Sequence, residues 1–370
     1  MEYKQIRVLQ ILPTLGYGGV AQFLLNYYSY MDRDQIVFDF VTHGKEEVFH
    51  KDLKEKGSNI YYLQSIGKVG LIKYLRQLKY VLTENQYDIV HTHDGHLTGL
   101  TAMLCKIYYH GPVICHAHTT RCVNASHKRF MPLFRWLSRH YGDYLLGCGV
   151  NACKYCFGEK SHFRVIHNAI SLDKFMSVSS YDIEQLRRKL EVGNRFVIGH
   201  VGLFCPPKNH EYILKIFNYL LKKHPNTLLV LIGGGELKES IEEKARMMGI
   251  INNIKFEGVQ TNIPVYLHIF DTFILPSLHE GLPVSGIEAQ AVVKNVCFSD
   301  TIDRDVDTGV GSACFIPITE DALIEWEKAI FAPKNFVDKD TIRKCFIESG
   351  YDIVHSVNTL YGIYSKIARK

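Results

Sequence analysis

The stretch Phe196-Val197-Ile198-Gly199-His200-Val201-Gly202-Leu203-Phe204-Cys205-Pro206-Pro207-Lys208-Asn209-His210 runs from an apolar, β-branched segment, through a Pro-Pro turn, into a segment of helical spacing over 210–223. The first part reads as a buried strand and the last as an amphipathic helix. Downstream the same alternation continues, with strands at 227–232, 254–256 and 272–275 and helices near 237–248 and 285–293. Upstream it is already present, with strands at 6–12, 36–42, 88–93, 112–116 and 144–148 and helices such as 20–31 and 71–84. Strands separated by helices argue for parallel sheets built from βαβ units. Strands rich in Val, Ile and Leu, with few polar interruptions, imply sheets covered on both faces. The expectation is an α/β chain of two Rossmann-like domains, with a cleft at the carboxyl ends of their strands where a ligand binds. The break falls near 171–194, with the small polar run 177–181 as a linker.

Bulk properties agree with a two-domain enzyme. The chain has 370 residues, 46% hydrophobic and 22% charged, and no apolar run approaches the ~20 residues that span a bilayer. The first strand has no cleavage pattern after it, so no signal peptide is read, and ten cysteines without such a signal point to a reducing cytoplasm. Net charge is +5 but uneven: residues 1–175 carry 21 Lys and Arg against 14 Asp and Glu, a net of +7. A basic first half suits an anionic partner such as phosphate or a membrane surface, and equally suits solvated lysines.

Four features carry candidate chemistry. The loop Leu15-Gly16-Tyr17-Gly18-Gly19 joins a strand to a helix whose first amides favour phosphate, and a plain tight turn explains it as well. Lys208 stands at the mouth of a helix, where an ammonium clamps a diphosphate, although a lysine in a loop is commonly just solvated. Gly233-Gly234-Gly235 would permit close passage of a ligand or of the opposite domain. The string Pro276-Ser277-Leu278-His279-Glu280-Gly281-Leu282-Pro283-Val284-Ser285-Gly286-Ile287-Glu288 sets one carboxylate in a loop and a second on the first turn of a helix that Ser285 caps. Carboxylates accept from sugar hydroxyls and helix-start amides suit phosphate.

In order and in residues, these features resemble the family 4 glycosyltransferases, which share the two-domain architecture called GT-B. The resemblance covers nearly the whole chain and includes Tyr87-Asp88-Ile89-Val90-His91-Thr92-His93, His116-Ala117-His118 and Val165-Ile166-His167-Asn168-Ala169-Ile170. It is closest to members that assemble capsular or exopolysaccharide units. It implies an acceptor-binding domain over 1–175, a nucleotide-sugar domain over 176–350, and a terminal helix over 351–370 that returns to the first domain. It implies catalytic roles for His118, beside the donor sugar, for Lys208, on the leaving diphosphate, and for Glu280, on sugar hydroxyls. Gly18 and Gly19 would face the diphosphate. Asn209, Gly234, Gly281, Leu282, Pro283 and Val284 would line the donor, Glu288 would hold the ribose, and the base would lie near 258–262. The implied reaction is retaining transfer of a hexose or N-acetylhexosamine from a nucleotide diphosphate sugar, by family habit a UDP-sugar, to a glycan acceptor of the lipid-linked kind. No metal and no other cofactor is implied, and no nucleic acid. An epimerase of the same architecture and a non-catalytic nucleotide-sugar-binding subunit are the alternatives. One departure stands out: the family often has Arg where this chain has Leu203, so either another basic residue such as Arg121 shares the diphosphate charge or activity is low.

Other features compete for attention. Asp303-Arg304-Asp305-Val306-Asp307 has the Asp-x-Asp spacing of some metal-dependent sites, but as a loop it reads as a solvated charge run. Cys148, Cys153 and Cys156 lack a fourth zinc ligand nearby and read as buried thiols. His91, His93 and His116 read as structural or acceptor-lining. The stretch 121–141 interleaves Arg121, Lys128, Arg129, Arg135 and Arg139 with Phe130, Leu133, Phe134 and Trp136 and holds no acid. That composition suits an interfacial helix on an anionic membrane, which would place the protein peripherally on the inner face of the cell membrane.

Overall fold

The computed structural model describes residues 5–16, 18–43, 49–122, 125–293, 295–333 and 337–368. They form two compact units, one of Met1–Ala169 with Ile353–Lys370 and one of Ile170–Asp352. The first holds seven parallel strands: β1 (Ile6–Leu12), β2 (Ile36–Thr42), β3 (Ile60–Tyr62), β4 (Ile89–Thr92), β5 (Val113–Ala117), β6 (Tyr144–Gly147) and β7 (Arg164–Val165), in the order β3-β2-β1-β4-β5-β6-β7. The second holds six: β8 (Phe196–Val201), β9 (Thr227–Ile232), β10 (Ile254–Gly258), β11 (Thr272–Leu275), β12 (Asn295–Ser299) and β13 (Ala313–Ile316), in the order β10-β9-β8-β11-β12-β13, again all parallel. Both are doubly wound Rossmann-like sheets, and the strand order reverses between β1 and β4 and between β8 and β11. Ligands of such sheets bind beyond the carboxyl ends of the strands at that reversal.

Burial follows from composition. All six residues of β9 are buried, as expected for a sheet covered on both faces. The helix His210–Leu221 turns Tyr212, Ile213, Ile216, Phe217 and Leu220 into the second unit, where Trp326 is fully enclosed. The helix Ile353–Ala368 buries Val357, Leu360, Ile363, Tyr364 and Ile367 against the helix Gly19–Tyr30 and the first sheet, so it belongs to the first unit.

The unit boundary differs from the sequence reading. Residues 170–175 belong to the second unit, because Leu172, Phe175 and Met176 of the helix Leu172–Met176 are buried in its core. The Ile170 amide donates to the Tyr351 carbonyl at 2.9 Å, so the strands of chain entering and leaving this unit are stitched together. The run 177–181 is not a linker between units either: Ser179 caps the helix Ser180–Lys189, its hydroxyl accepting from the Tyr181 amide at 3.2 Å. No helix among the described residues is long and apolar enough to cross a membrane.

Candidate donor site and histidine network

In the second unit the loops that follow β8 and β11 meet at the strand reversal, and an ion pair joins them. Lys208 Nζ lies 2.7 Å from Glu280 Oε1, with side chains only 16% and 15% exposed. Several contacts fix this geometry. Pro206–Lys208 forms one 3-10 turn, and Asn209 follows in the left-handed region (φ 55°) as the residue that opens the helix His210–Leu221. The Asn209 side-chain amide donates through Nδ2 to the Pro276 carbonyl at 3.1 Å, and the Leu278 backbone amide donates to the Pro207 carbonyl at 2.8 Å. Buried Ser277 donates its hydroxyl to Glu280 Oε1 at 2.8 Å, while Ser299 and Thr301 donate to the Ser277 carbonyl. Gly202 leaves room for the Lys208 stem, since a Cβ there would stand 3.1 Å from Lys208 Cδ and Cε.

Glu288 is half-buried on the helix Val284–Gln290, in its second turn rather than its first. Burial pushes its carboxyl up to about 7, with nearby Lys174 acting in the opposite sense. Pro283, not Ser285, occupies the cap position, and no side chain caps this helix. Gly281, Leu282 and Val284 are partly exposed on the same loop. The glycine turn has a different use from the one expected. A Cβ on Gly233 (φ 145°) would meet the Gly202 carbonyl oxygen at 2.0 Å, and one on Gly235 (φ 143°) would meet that of Phe204 at 2.6 Å. The close passage is therefore made by the 202–204 backbone of the same unit, and the Gly234 carbonyl accepts from the Phe204 amide at 2.8 Å. Leu203 is 55% exposed beside it and offers no charge.

In the first unit, β4 and β5 end in four histidines. His93 Nδ1 lies 2.9 Å from His118 Nε2, and His93 Nε2 lies 2.8 Å from Gln10 Oε1. His91 Nε2 lies 3.1 Å from His116 Nδ1, and His91 Nδ1 lies 2.7 Å from the Tyr364 hydroxyl, to which Gln10 Nε2 donates at 3.3 Å. Burial, then the neighbouring imidazoles, holds His91, His93 and His116 well below the usual histidine range, and burial takes His118 to about 3, so all four are neutral. The tautomers follow. Gln10 Oε1 only accepts, so His93 carries its proton on Nε2 and accepts at Nδ1 from His118 Nε2–H. His118 is thus left with a bare Nδ1, which is buried and has no hydrogen-bond partner among the described residues. The Gly18–Gly19 turn opens the helix Gly19–Tyr30 with no side-chain cap. Gly18 is extended (φ −169°) and a Cβ on either glycine would meet nothing within 4 Å, so neither backbone strain nor packing requires glycine there.

Residues 17–174 match the family described as Glycosyltransferase Family 4, and residues 182–303 match Glycosyl transferases group 1. The chain belongs to the family 4 glycosyltransferases. It is 29% identical to the putative glycosyltransferase EpsF of Bacillus subtilis over 99% of this chain and 98% of that one. It is 24% identical to the UDP-Gal:alpha-D-GlcNAc-diphosphoundecaprenol alpha-1,3-galactosyltransferase of Escherichia coli, over 97% and 96% of the two chains. Anabaena Alr3699/HepE, crystallised with UDP and glucose, shares the fold at a TM-score of 0.76 and 17% identity over 98% of this chain and all of that one.

In this glycosyltransferase Lys208, Asn209, Glu280 and the 281–284 loop are brought together in one unit, and His118 stands in the other. Sequence reasoning gave no role to Ser277, Gln10 or Tyr364, and read His93 as structural or acceptor-lining. The available signal was a polar side chain in a buried apolar run, as for Gln10 within 8–12. Two further readings are refined by the geometry. Asp303 and Asp307 accept from backbone amides two residues on, at 3.1 and 2.9 Å, as turn formers. Arg135 and Arg139 donate to the Tyr155 and Phe157 carbonyls, both at 2.9 Å, capping the end of the helix Val150–Phe157 rather than standing free for an anionic surface. Part of 121–141 lies outside the described residues, as do Tyr17 and Lys294.

Proposed function

We propose that this glycosyltransferase moves a hexose or N-acetylhexosamine from a UDP-sugar to a lipid-linked glycan acceptor, with retention of configuration, in the assembly of a surface polysaccharide. The Lys208–Glu280 pair at the strand reversal of the second unit carries the reading. A cation and a carboxylate held together where doubly wound sheets bind ligands suit a charged diphosphate joined to a polyhydroxylated ring. Donor binding redistributes the pair. The ammonium turns to the diphosphate, and the carboxylate, still held by Ser277, accepts from sugar hydroxyls. Glu288 accepts from the ribose hydroxyls, and His118 Nδ1 accepts from a hydroxyl of the sugar. The amides of 281–284 and the uncapped helix after Gly18 supply further donors for phosphate oxygens.

Glu280 is engaged by a lysine and a serine, so it is a poor nucleophile. The acceptor hydroxyl then attacks from the face the diphosphate leaves, and a diphosphate oxygen takes its proton. Orientation and charge stabilisation supply the rate. The diphosphate is held by lysine and amides, and turnover survives chelation. Exposed Phe130, Leu133 and Trp136 beside Lys128 and Arg129 support peripheral binding to an anionic membrane that carries the acceptor. The name of the Escherichia coli relative, with a UDP-Gal donor and a diphosphoundecaprenol-linked acceptor, supports the substrate class.

The test is transfer from UDP-galactose, UDP-glucose and their N-acetylhexosamine counterparts to a diphospholipid-linked sugar, with the product anomer read by NMR. An α-linked product from an α-linked donor is expected, and Lys208→Ala and Glu280→Ala each lose most of it while staying folded. An inverted product, or near-normal turnover by either variant, overturns the reading. Exposed Leu203 favours one alternative, a subunit that binds donor without turning it over, which the same assay separates.

A further inference from the structure

Outside the four-histidine network, three soft donors meet at one point of the first unit. His96 lies on the 3-10 turn Gly95–Leu97 that follows β4, Cys122 on the segment that follows β5, and His127 on the helix Ala125–Arg129. His96 Nε2 stands 2.9 Å from His127 Nδ1 and 3.4 Å from Cys122 Sγ, and the three candidate ligand atoms all lie within 4.8 Å of one another. Hydrogen bonding accounts for this convergence only through a three-centre bond at His96 Nε2. A neutral imidazole nitrogen has either one proton or one lone pair, and His96 Nε2 faces two partners. A cation between the three satisfies all of them. A tetrahedral zinc ion, with Zn–N of about 2.0 Å and Zn–S of about 2.3 Å, separates its ligands by roughly 3.3 Å (N to N) and roughly 3.6 Å (N to S). The two distances from His96 Nε2 need only a few tenths of an ångström of adjustment, and the third pair stands within 4.8 Å.

The surroundings are those of a built site. Cys122 is buried in a small apolar cluster with Met131, Phe134 and Leu137. The Phe134 ring packs on both imidazoles, with centroids 5.8 Å from His96 and 5.9 Å from His127, which limits their rotation. The two histidines are half-buried, so an ion has a way in from solvent. The other three-ligand group among the described residues, His91, His93 and His116, is fully buried, and each member already bonds within the network. Cys148, Cys153 and Cys156 are not among the converging groups.

We propose that His96, Cys122 and His127 form a mononuclear site for a borderline-soft divalent metal of the zinc class, with the fourth position taken by water or an added ligand. Two imidazoles and a thiolate, with no oxygen donor, disfavour calcium and magnesium. Such an ion ties the segment after β4 to the segment after β5, four residues beyond His118. None of its three ligands is a residue assigned to the donor, so the site stands apart from the donor reading.

The experiment is a titration of the chelator-stripped full chain with Co(II), followed by absorption. One equivalent is expected to bind, with a thiolate-to-cobalt charge-transfer band and tetrahedral d–d absorption, and stoichiometric Zn(II) should displace it. Cys122→Ser should abolish the band and weaken uptake by at least ~100-fold, since loss of an outer partner alone costs roughly 10–100-fold. His127→Ala, at a half-exposed position that the fold tolerates, should weaken uptake similarly. No saturable uptake by the unmodified chain overturns the site. So does uptake without a thiolate band, or a band that survives Cys122→Ser in a chain whose circular dichroism shows it folded.

Discussion

Breaking the Lys208–Glu280 pair from one side at a time gives a prediction that separates structure from catalysis. At 2.7 Å the two charges attract by about 6 kcal/mol at an effective dielectric constant of about 20. Desolvating two side chains that are only 16% and 15% exposed offsets most of that, leaving a net coupling of roughly 1–3 kcal/mol. Lys208→Met leaves the carboxylate with the Ser277 hydroxyl alone, and Glu280→Gln leaves the half-enclosed ammonium without its carboxylate. Each single change should cost the second unit ~1–3 kcal/mol, and the double change should cost less than the two together by ~1–3 kcal/mol. The chain has two tryptophans, one in each unit, and Trp326 is fully buried in the second. In a Trp136→Phe background its fluorescence reports denaturation of that unit alone. All three variants should lose transfer, so the double mutant recovers stability without recovering activity. Additive single changes would show that the pair does not hold the two loops, and transfer by the double mutant would show that it is not the donor clamp.

Glu288 supplies a pH-dependent counterpart. Its carboxyl is held at about 7 against an ordinary 4.5, so the folded protein binds an extra proton between those values, and ligand-free stability from this group falls as pH rises through about 7. Glu288→Gln should therefore stabilise the ligand-free protein by up to ~3 kcal/mol at pH 8 and by nothing below pH 4.5, read by denaturation at both pH values. The same variant should weaken UDP binding at pH 8 and remove the loss of affinity that the unmodified protein shows on acidification to pH 6; an unchanged affinity profile would take Glu288 away from the ribose. In the first unit, Gln10→Leu removes the acceptor that fixes the His93 tautomer and should lower kcat at least tenfold with little change in donor affinity, whereas Gln10→Glu, which keeps an acceptor, should retain more turnover. Equal losses in both would mean that the network only packs the core. Phe130→Ser with Trp136→Ser should abolish sedimentation with anionic vesicles at low salt while leaving donor binding intact; unchanged sedimentation would move the membrane contact elsewhere.

How much of this was legible beforehand depended on local signal. The long central strands β1, β2, β8 and β9 announce themselves as apolar runs. The edge strands β3, β7 and β13 are two to four residues long, and β12 follows a helix without a turn signature, so periodicity does not single them out. Lys208 and Glu280 stand out in the sequence because they sit in strings of turn residues that a core does not need, and Glu288 stands out as a carboxylate on the helix that follows. Their arrangement does not. The spacing from 208 to 280 carries no hint that the two pair, because that contact depends on β8 and β11 being neighbours. The glycine turn misled for a related reason: the backbone that passes Gly233 and Gly235 comes from an adjacent loop, and sequence gives no address for it. Tyr364, 273 residues from His91, reaches the network only because the last helix folds onto the first sheet.

The central claim is that the second unit binds a nucleoside diphosphate through Lys208. Calorimetric titration of the metal-free protein with UDP, GDP and ADP tests it most directly. One UDP per chain is expected, with weaker binding of the purine nucleotides and at least a tenfold loss of UDP affinity in Lys208→Ala. No heat with any of the three, or UDP bound equally well by Lys208→Ala and Glu288→Gln, would contradict the account.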